Sequence, residues 1–219
     1  MKKKLIIVGA SGGCLDLVDL VNDINNSNSK SKYSIEGFLD DKFIKNSKIM
    51  GFKVLGKFKD AKKYSKKYYF ATSIGSSDNF RNFSKIVDKL KIDKSRFVNL
   101  IHPTTYISKS SKIGIGCVFF QNVVISTNAV IKNFVRILPN SIIHHDSIIG
   151  NHCKINSMCS ISGSVTIDDD CYIGASVSVK EMTSISKGTL LGMGSVVLKS
   201  IKRSNSIYAG CPAKKINKN

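Results

Sequence analysis

Few side chains in this 219-residue chain have the chemistry and spacing for catalysis. The run His144-His145-Asp146 sets an imidazole beside a carboxylate. That pairing makes a proton acceptor near neutral pH, because histidine titrates close to that range and an adjacent anion favours its charged form. The glycine turn Gly9-Ala10-Ser11-Gly12-Gly13 offers backbone N–H groups to an anion, provided that a helix starts behind it. Asp40-Asp41 supplies acceptors for a nucleoside, and Lys154 an ammonium nine residues beyond His145. On spacing alone, His145 is open to two readings, a general base or an ordinary surface histidine. The glycine turn is likewise open, as a phosphate cradle or a plain strand-to-helix turn, because Ser11 stands where the G-x-G-x-x-G fingerprint needs its second glycine.

The element that must carry His145 announces itself as a repeat. Stepping by six from Ile101 to Val197 meets seventeen positions, each large and apolar. At 42% apolar composition such a run arises by chance about once in a million draws. Four residues after each of the first sixteen sits a small or β-branched residue, from Thr105 to Ser195. A period of six fits neither an α-helix nor a lone strand, but it fits a parallel β-helix built from hexapeptides, three to a coil. The large residue fills the interior and the small one the inward corner. Cys117, Cys153, Cys159 and Cys171 occupy that small position and pack as apolar groups. Cys14 and Cys211 are too scattered for a metal site, and no C-x-x-C pair is present. His145 lies two residues after inward Ile143, so it faces solvent or a neighbouring subunit.

Before Ile101 the six-residue period disappears. A strand over 4–8, the glycine turn, a helix over 15–24, a strand over 35–39 ending in Asp40-Asp41, a strand over 68–74 running into Gly75 and a helix across 78–90 make a small parallel βαβ domain of mononucleotide-binding type. The expected organisation is therefore an α/β Rossmann-like domain over 1–98 and an all-β hexapeptide domain over 99–219.

The formal charge of +19 invites a nucleic-acid partner, but the excess is spread, with 21 basic and 10 acidic side chains in 1–100 and 13 and 5 in 101–219. The densest cluster, Lys59 to Lys67, reads as a solvated helix face. The surplus draws small polyanions into clefts instead. No run approaches the eighteen apolar residues of a membrane span, and the charged start over 1–4 is followed by only four apolar residues before Gly9, which reads as a buried strand of a cytoplasmic protein.

Six motifs stand in order: VGASGG at 8–13, GFLDD at 37–41, SIG at 73–75 with Arg81 following, LIHP at 100–103, HHDSIIG at 144–150 and GCPAK at 210–214. Together they resemble the bacterial sugar acyltransferases typified by UDP-4-amino-sugar N-acetyltransferases of bacillosamine synthesis and by sialic acid O-acetyltransferases. The resemblance covers nearly the whole chain and implies a left-handed β-helix, a homotrimer with active sites between subunits, acetyl-CoA as cosubstrate without a metal, and a nucleotide-linked amino sugar, UDP-linked, as acceptor. It makes His145 the base and Asp146 the group that raises its basicity. It assigns Lys154, Ala175, Gly192, Met193 and Gly194 to the coenzyme, and Gly9, Ser11, Gly12, Gly13, Asp40, Asp41, Gly75 and Arg81 to the sugar nucleotide. Three departures bear on the acceptor: Gly13-Cys14 replaces a His-Gly pair, Lys154 a second histidine, and Leu138-Pro139 a more polar segment. A sugar O-acetyltransferase using the same base and a non-catalytic scaffold trimer are the competing expectations. A zinc hydratase on the same fold needs two histidines five apart, and His102, His144, His145 and His152 contain no such pair.

Overall fold

The computed structural model describes residues 2–10, 12–27, 32–49 and 51–216. Strand β1 (Lys3–Val8) runs into the glycine turn and helix α1 (Cys14–Asn26), whose Cys14, Leu17, Val18, Leu20, Val21 and Ile24 follow helical spacing and are all buried. Strands β2 (Tyr33–Leu39), β3 (Lys48–Ile49), β4 (Phe52–Gly56) and β5 (Tyr69–Thr72) complete a sheet ordered β3-β4-β2-β1-β5 among the described residues. The pairings of β1 with β2 and β5 and of β2 with β4 are parallel, as expected of a mononucleotide-binding unit. The β3–β4 hairpin was not expected; its two-residue first strand is too short for a periodicity to show. Lys59, Lys62, Lys63, Lys66 and Lys67 are exposed around a single helical turn (Ala61–Tyr64). The helix expected across 78–90 is a 3-10 turn, Phe80–Asn82, followed by α2 (Phe83–Lys89).

From Leu100 the chain winds as a left-handed β-helix of two-residue strands. Each strand pairs in parallel with the strand eighteen residues later, as Ile125 with Ile143 and Ile143 with Ile161. Three ladders form the faces of a prism, and one runs through Leu100, Val118, Arg136, Lys154, Tyr172 and Leu190. The sixth-residue series from Phe119 to Val197 is almost wholly inaccessible, and it forms one core with the small inward residues. Each such aliphatic contributes roughly 1.5–3 kcal/mol by leaving water. Beyond Val197 the step shortens: Ile185 bridges Ile201 and Leu190 pairs with Ile207.

The corners need a backbone that the sequence pattern did not reveal. Every sixth residue from Asn122 to Met182 has φ between 56° and 61°, a series that includes Asp146 and His152. Left-handed backbone costs an L residue about 1–2 kcal/mol, least for Asn and Asp, which recur in this series. Each corner residue donates its N–H to the coil below, as Asp146 does to the Thr127 carbonyl at 3.0 Å.

The two domains share a core. Leu100, Val118 and Phe120 of the prism cluster with Leu17, Leu20, Phe38 and Val98 of the α/β domain. One face of the prism is thereby covered.

Candidate active site

His145 and Asp146 stand at a prism corner, with side chains 62% and 51% exposed. His145 Nδ1 lies 2.8 Å from Asp146 Oδ2, and Asn128 Nδ2, one coil below, donates to Asp146 Oδ1 at 3.1 Å. These contacts, that of His145 first, hold the Asp146 carboxyl below the usual carboxylate range. The ionised carboxylate fixes the tautomer with Nδ1 protonated, leaving the Nε2 lone pair to accept a proton.

The ring lies over Gly163, one coil above. A Cβ there would fall 2.6 Å from both Cε1 and Nε2. Gly163 therefore makes the space in which the imidazole rests. Sequence reasoning passed over it, although the eighteen-residue step from His145 points straight to it.

The second constellation is a pocket of about 380 Å³ between the glycine turn and the prism. That volume lies at the lower end of the range for small-molecule sites. Gly9, Gly12, Gly13, Asp40, Asp41 and Gly75 line it, so most of the expected sugar-nucleotide set comes together. Ser11 lies outside the described residues. Gly12, at φ +39°, has open space where a side chain would stand, and Gly13 caps α1 with no side chain. Asp40 is buried and braces the turn, accepting from Ala10 N–H at 2.7 Å and from Lys42 N–H at 2.8 Å. Asp41 is exposed and accepts from Phe58 N–H at 2.8 Å through one oxygen.

Two residues stand where the motifs did not indicate. Arg81 donates from Nε to the Gly188 carbonyl at 2.8 Å and lines a separate cleft with Arg203 and Lys215. It joins the domains rather than entering the glycine-turn pocket. Lys154 lines that pocket, beside Gly75 and Arg136. Arg136, which the sequence reading missed, donates to the carbonyls of Ser73, at 3.0 Å, and Thr72.

Of the expected coenzyme residues, Ala175 and Gly194 share a corner column, Gly194 N–H donating to the Ala175 carbonyl at 2.8 Å. Met193 is 79% exposed. Gly192 is shielded, since a Cβ on it would meet that of Ala209 at 2.7 Å. Burial pushes the Cys117 and Cys159 thiols up to about 11, which removes them as nucleophiles at neutral pH. Among the described residues, no three His, Cys, Asp or Glu side chains gather as a metal site, and no helix is long and apolar enough to cross a membrane.

Comparison with known proteins agrees with this architecture domain by domain. The PglD N-terminal domain family matches residues 4–87 and the GMPPB C-terminal domain family residues 98–204. The acetyltransferase domain of PglB from Neisseria gonorrhoeae FA1090, solved in complex with acetyl coenzyme A, is 25% identical and superposes with a TM-score of 0.83 over 99% of this chain and 100% of that one. The chain is similar to bacterial sugar acyltransferases of the hexapeptide-repeat type. Among such acyltransferases it is similar to GDP-perosamine N-acetyltransferase of Escherichia coli O157:H7, with 27% identity over 80% of this chain and 77% of that one. PerB from Caulobacter crescentus, solved with CoA and GDP-perosamine, shares the fold at 18% identity and a TM-score of 0.81, covering 98% of this chain and 97% of that one.

Proposed function

We propose that this acyltransferase moves the acetyl group of acetyl-CoA onto the amine of a nucleotide-linked 4-amino-4,6-dideoxy sugar. The observation that carries the reading is the His145–Asp146 pair, with a 2.8 Å contact and the opposite ring nitrogen left to take a proton. The neutral amine attacks the thioester carbon, His145 Nε2 accepts the amine proton, the C–S bond breaks, and the coenzyme thiolate leaves and is protonated. Asp146 stabilises the imidazolium so formed. No acyl-enzyme is involved, consistent with the burial of Cys14, Cys117, Cys153, Cys159 and Cys171 and the raised thiol pKa of Cys117 and Cys159.

The glycine-turn pocket takes the nucleotide, and the coenzyme runs along the Ala175–Gly194 column. The exposure of His145 in a single subunit supports a trimer in which a neighbour covers this corner. UDP is the carrier that the motif resemblance suggests, and the relatives named for GDP-perosamine make GDP the carrier to test beside it. The full chain, incubated with acetyl-CoA and UDP-, GDP- or dTDP-linked 4-amino sugars, should release free thiol with one carrier preferred. The product should resist mild base, as an amide does. A base-labile ester would make the enzyme an O-acetyltransferase, and absence of turnover with every carrier would overturn the reading.

A further inference from the structure

Arg136 and Lys154 face each other on adjacent strands of the prism face that the α/β domain covers, paired in register across one ladder. Both line the glycine-turn pocket. Arg136 is only 8% exposed, and its two recorded hydrogen bonds go to neutral carbonyls, those of Thr72 and Ser73. Lys154 is half-buried, with its ammonium 5.5 Å from the Tyr172 ring centroid. Among the described residues, no carboxylate lies within ion-pair distance of either cation.

Two like charges side by side in a partly dry cavity repel each other and forgo hydration, an arrangement that an anion between them reverses. Burial, opposed by Asp16, brings Arg136 down to about 10. Burial first, and then the charge of Arg136, brings Lys154 down to about 8. The opposite wall suits the same guest. The first turn of the 13-residue α1 opens there, with N–H groups that have no partner within the helix. Gly13 and Gly75 stand beside the two cations, their notional Cβ atoms 3.8 Å from Arg136 Nη1 and Lys154 Cδ respectively, so nothing larger than hydrogen projects from those two positions.

We propose that Arg136 and Lys154 form a diphosphate-binding site and that it takes the diphosphate of the nucleotide-linked sugar. This assignment rests on the proposed reading of the pocket. Coenzyme A carries the same chemistry, but the pair lies in the cavity of the glycine turn and Asp41 rather than on the Ala175–Gly194 column. Because the cations come from the prism and the glycine turn from the α/β domain, the bound nucleotide ties the two domains together.

The test is calorimetric titration of the full chain with inorganic pyrophosphate, UDP, GDP and acetyl-CoA. Wild type should bind pyrophosphate and at least one nucleoside diphosphate. Arg136→Leu and Lys154→Met should each weaken both about tenfold to hundredfold, the range for losing a charge-assisted hydrogen bond, with acetyl-CoA affinity unchanged. Lys154→Arg should recover most of the loss. Arg136 also holds two carbonyls of the neighbouring domain, so Lys154→Met, whose ammonium has no hydrogen bond among the described residues, is the decisive variant if Arg136→Leu fails to fold. Wild-type affinities for pyrophosphate and nucleotide in folded Lys154→Met would overturn the site, as would a wild type that ignores pyrophosphate. A loss confined to acetyl-CoA would give the pair to the coenzyme and overturn the assignment. Pyrophosphate binding that depends on both cations, in a protein that ignores UDP and GDP, would uphold the site and remove the nucleotide-sugar reading.

Discussion

The glycine-turn pocket and the His145 corner are built on opposite principles. The pocket draws its walls from two domains and is already concave within one subunit, with a buried arginine and a braced turn. The corner draws on three successive coils of one lattice, Asn128, Asp146 beside His145, and Gly163, and lies open. A lattice positions a catalytic group cheaply, because neighbours eighteen residues away are aligned by the ladder itself. It leaves that group on a convex surface, where only another molecule encloses it. Recognition needs enclosure, and the second domain provides it.

The largest effect should come from breaking the lattice. Ile161→Asp places a carboxylate in a core position that is fully inaccessible, at a cost of several kcal/mol. Insoluble or unfolded protein is expected, and a soluble Ile161→Asp trimer seen by ultracentrifugation would contradict the packing. His145→Ala should separate the two regions, lowering turnover by about 10²–10⁴-fold while nucleotide affinity stays within error. Gly163→Ala should cost less, roughly tenfold in kcat, because it displaces the ring without removing it. A KM for the sugar nucleotide that rose instead would make Gly163 part of the pocket.

The smallest effect expected is a pH trend confined to the pocket. Lys154 faces Arg136 and Tyr172 on the prism, Asp16 on α1, and Asp40, Asp41 and Lys42 across the cavity. With its folded pKa lowered to about 8, it loses its charge above that pH, so diphosphate affinity should fall a few-fold from about pH 7.5 to 9.5. Stability should move the other way across that window, since the unfolded chain holds the proton that the folded chain has released. Lys154→Arg should flatten the affinity curve, and an unchanged slope would detach this residue from the ligand.

The prism was legible because its core writes a period into the chain, and Ile125, Ile143 and Ile161 stack where the count of six puts them. The His145–Asp146 contact was legible because neighbours in sequence share a corner. Arg136 was not, since a residue just before an inward Ile137 reads as solvent-facing on an isolated prism, and only docking of the α/β domain buries it. A trace of that docking was present in apolar Val118, Phe120 and Leu138, all outward on the same face. Arg81 misled for the converse reason, as its motif precedes a helix of the first domain while its partner is the carbonyl of Gly188.

The unbroken eighteen-residue step also governs how such a chain can change its length. Loss of six residues between Gly163 and Ala175 would leave inward and outward positions in phase, yet it would turn everything beyond by a third of a revolution and carry the Ala175–Gly194 column to a different edge. Loss of eighteen would return every edge to its place and shorten the prism by one storey. Insertions and deletions in the walls are thus filtered in whole coils, while the corners from Gly116 to Gly194, each already bent at a left-handed residue, are where shorter additions can bulge outward without disturbing the count.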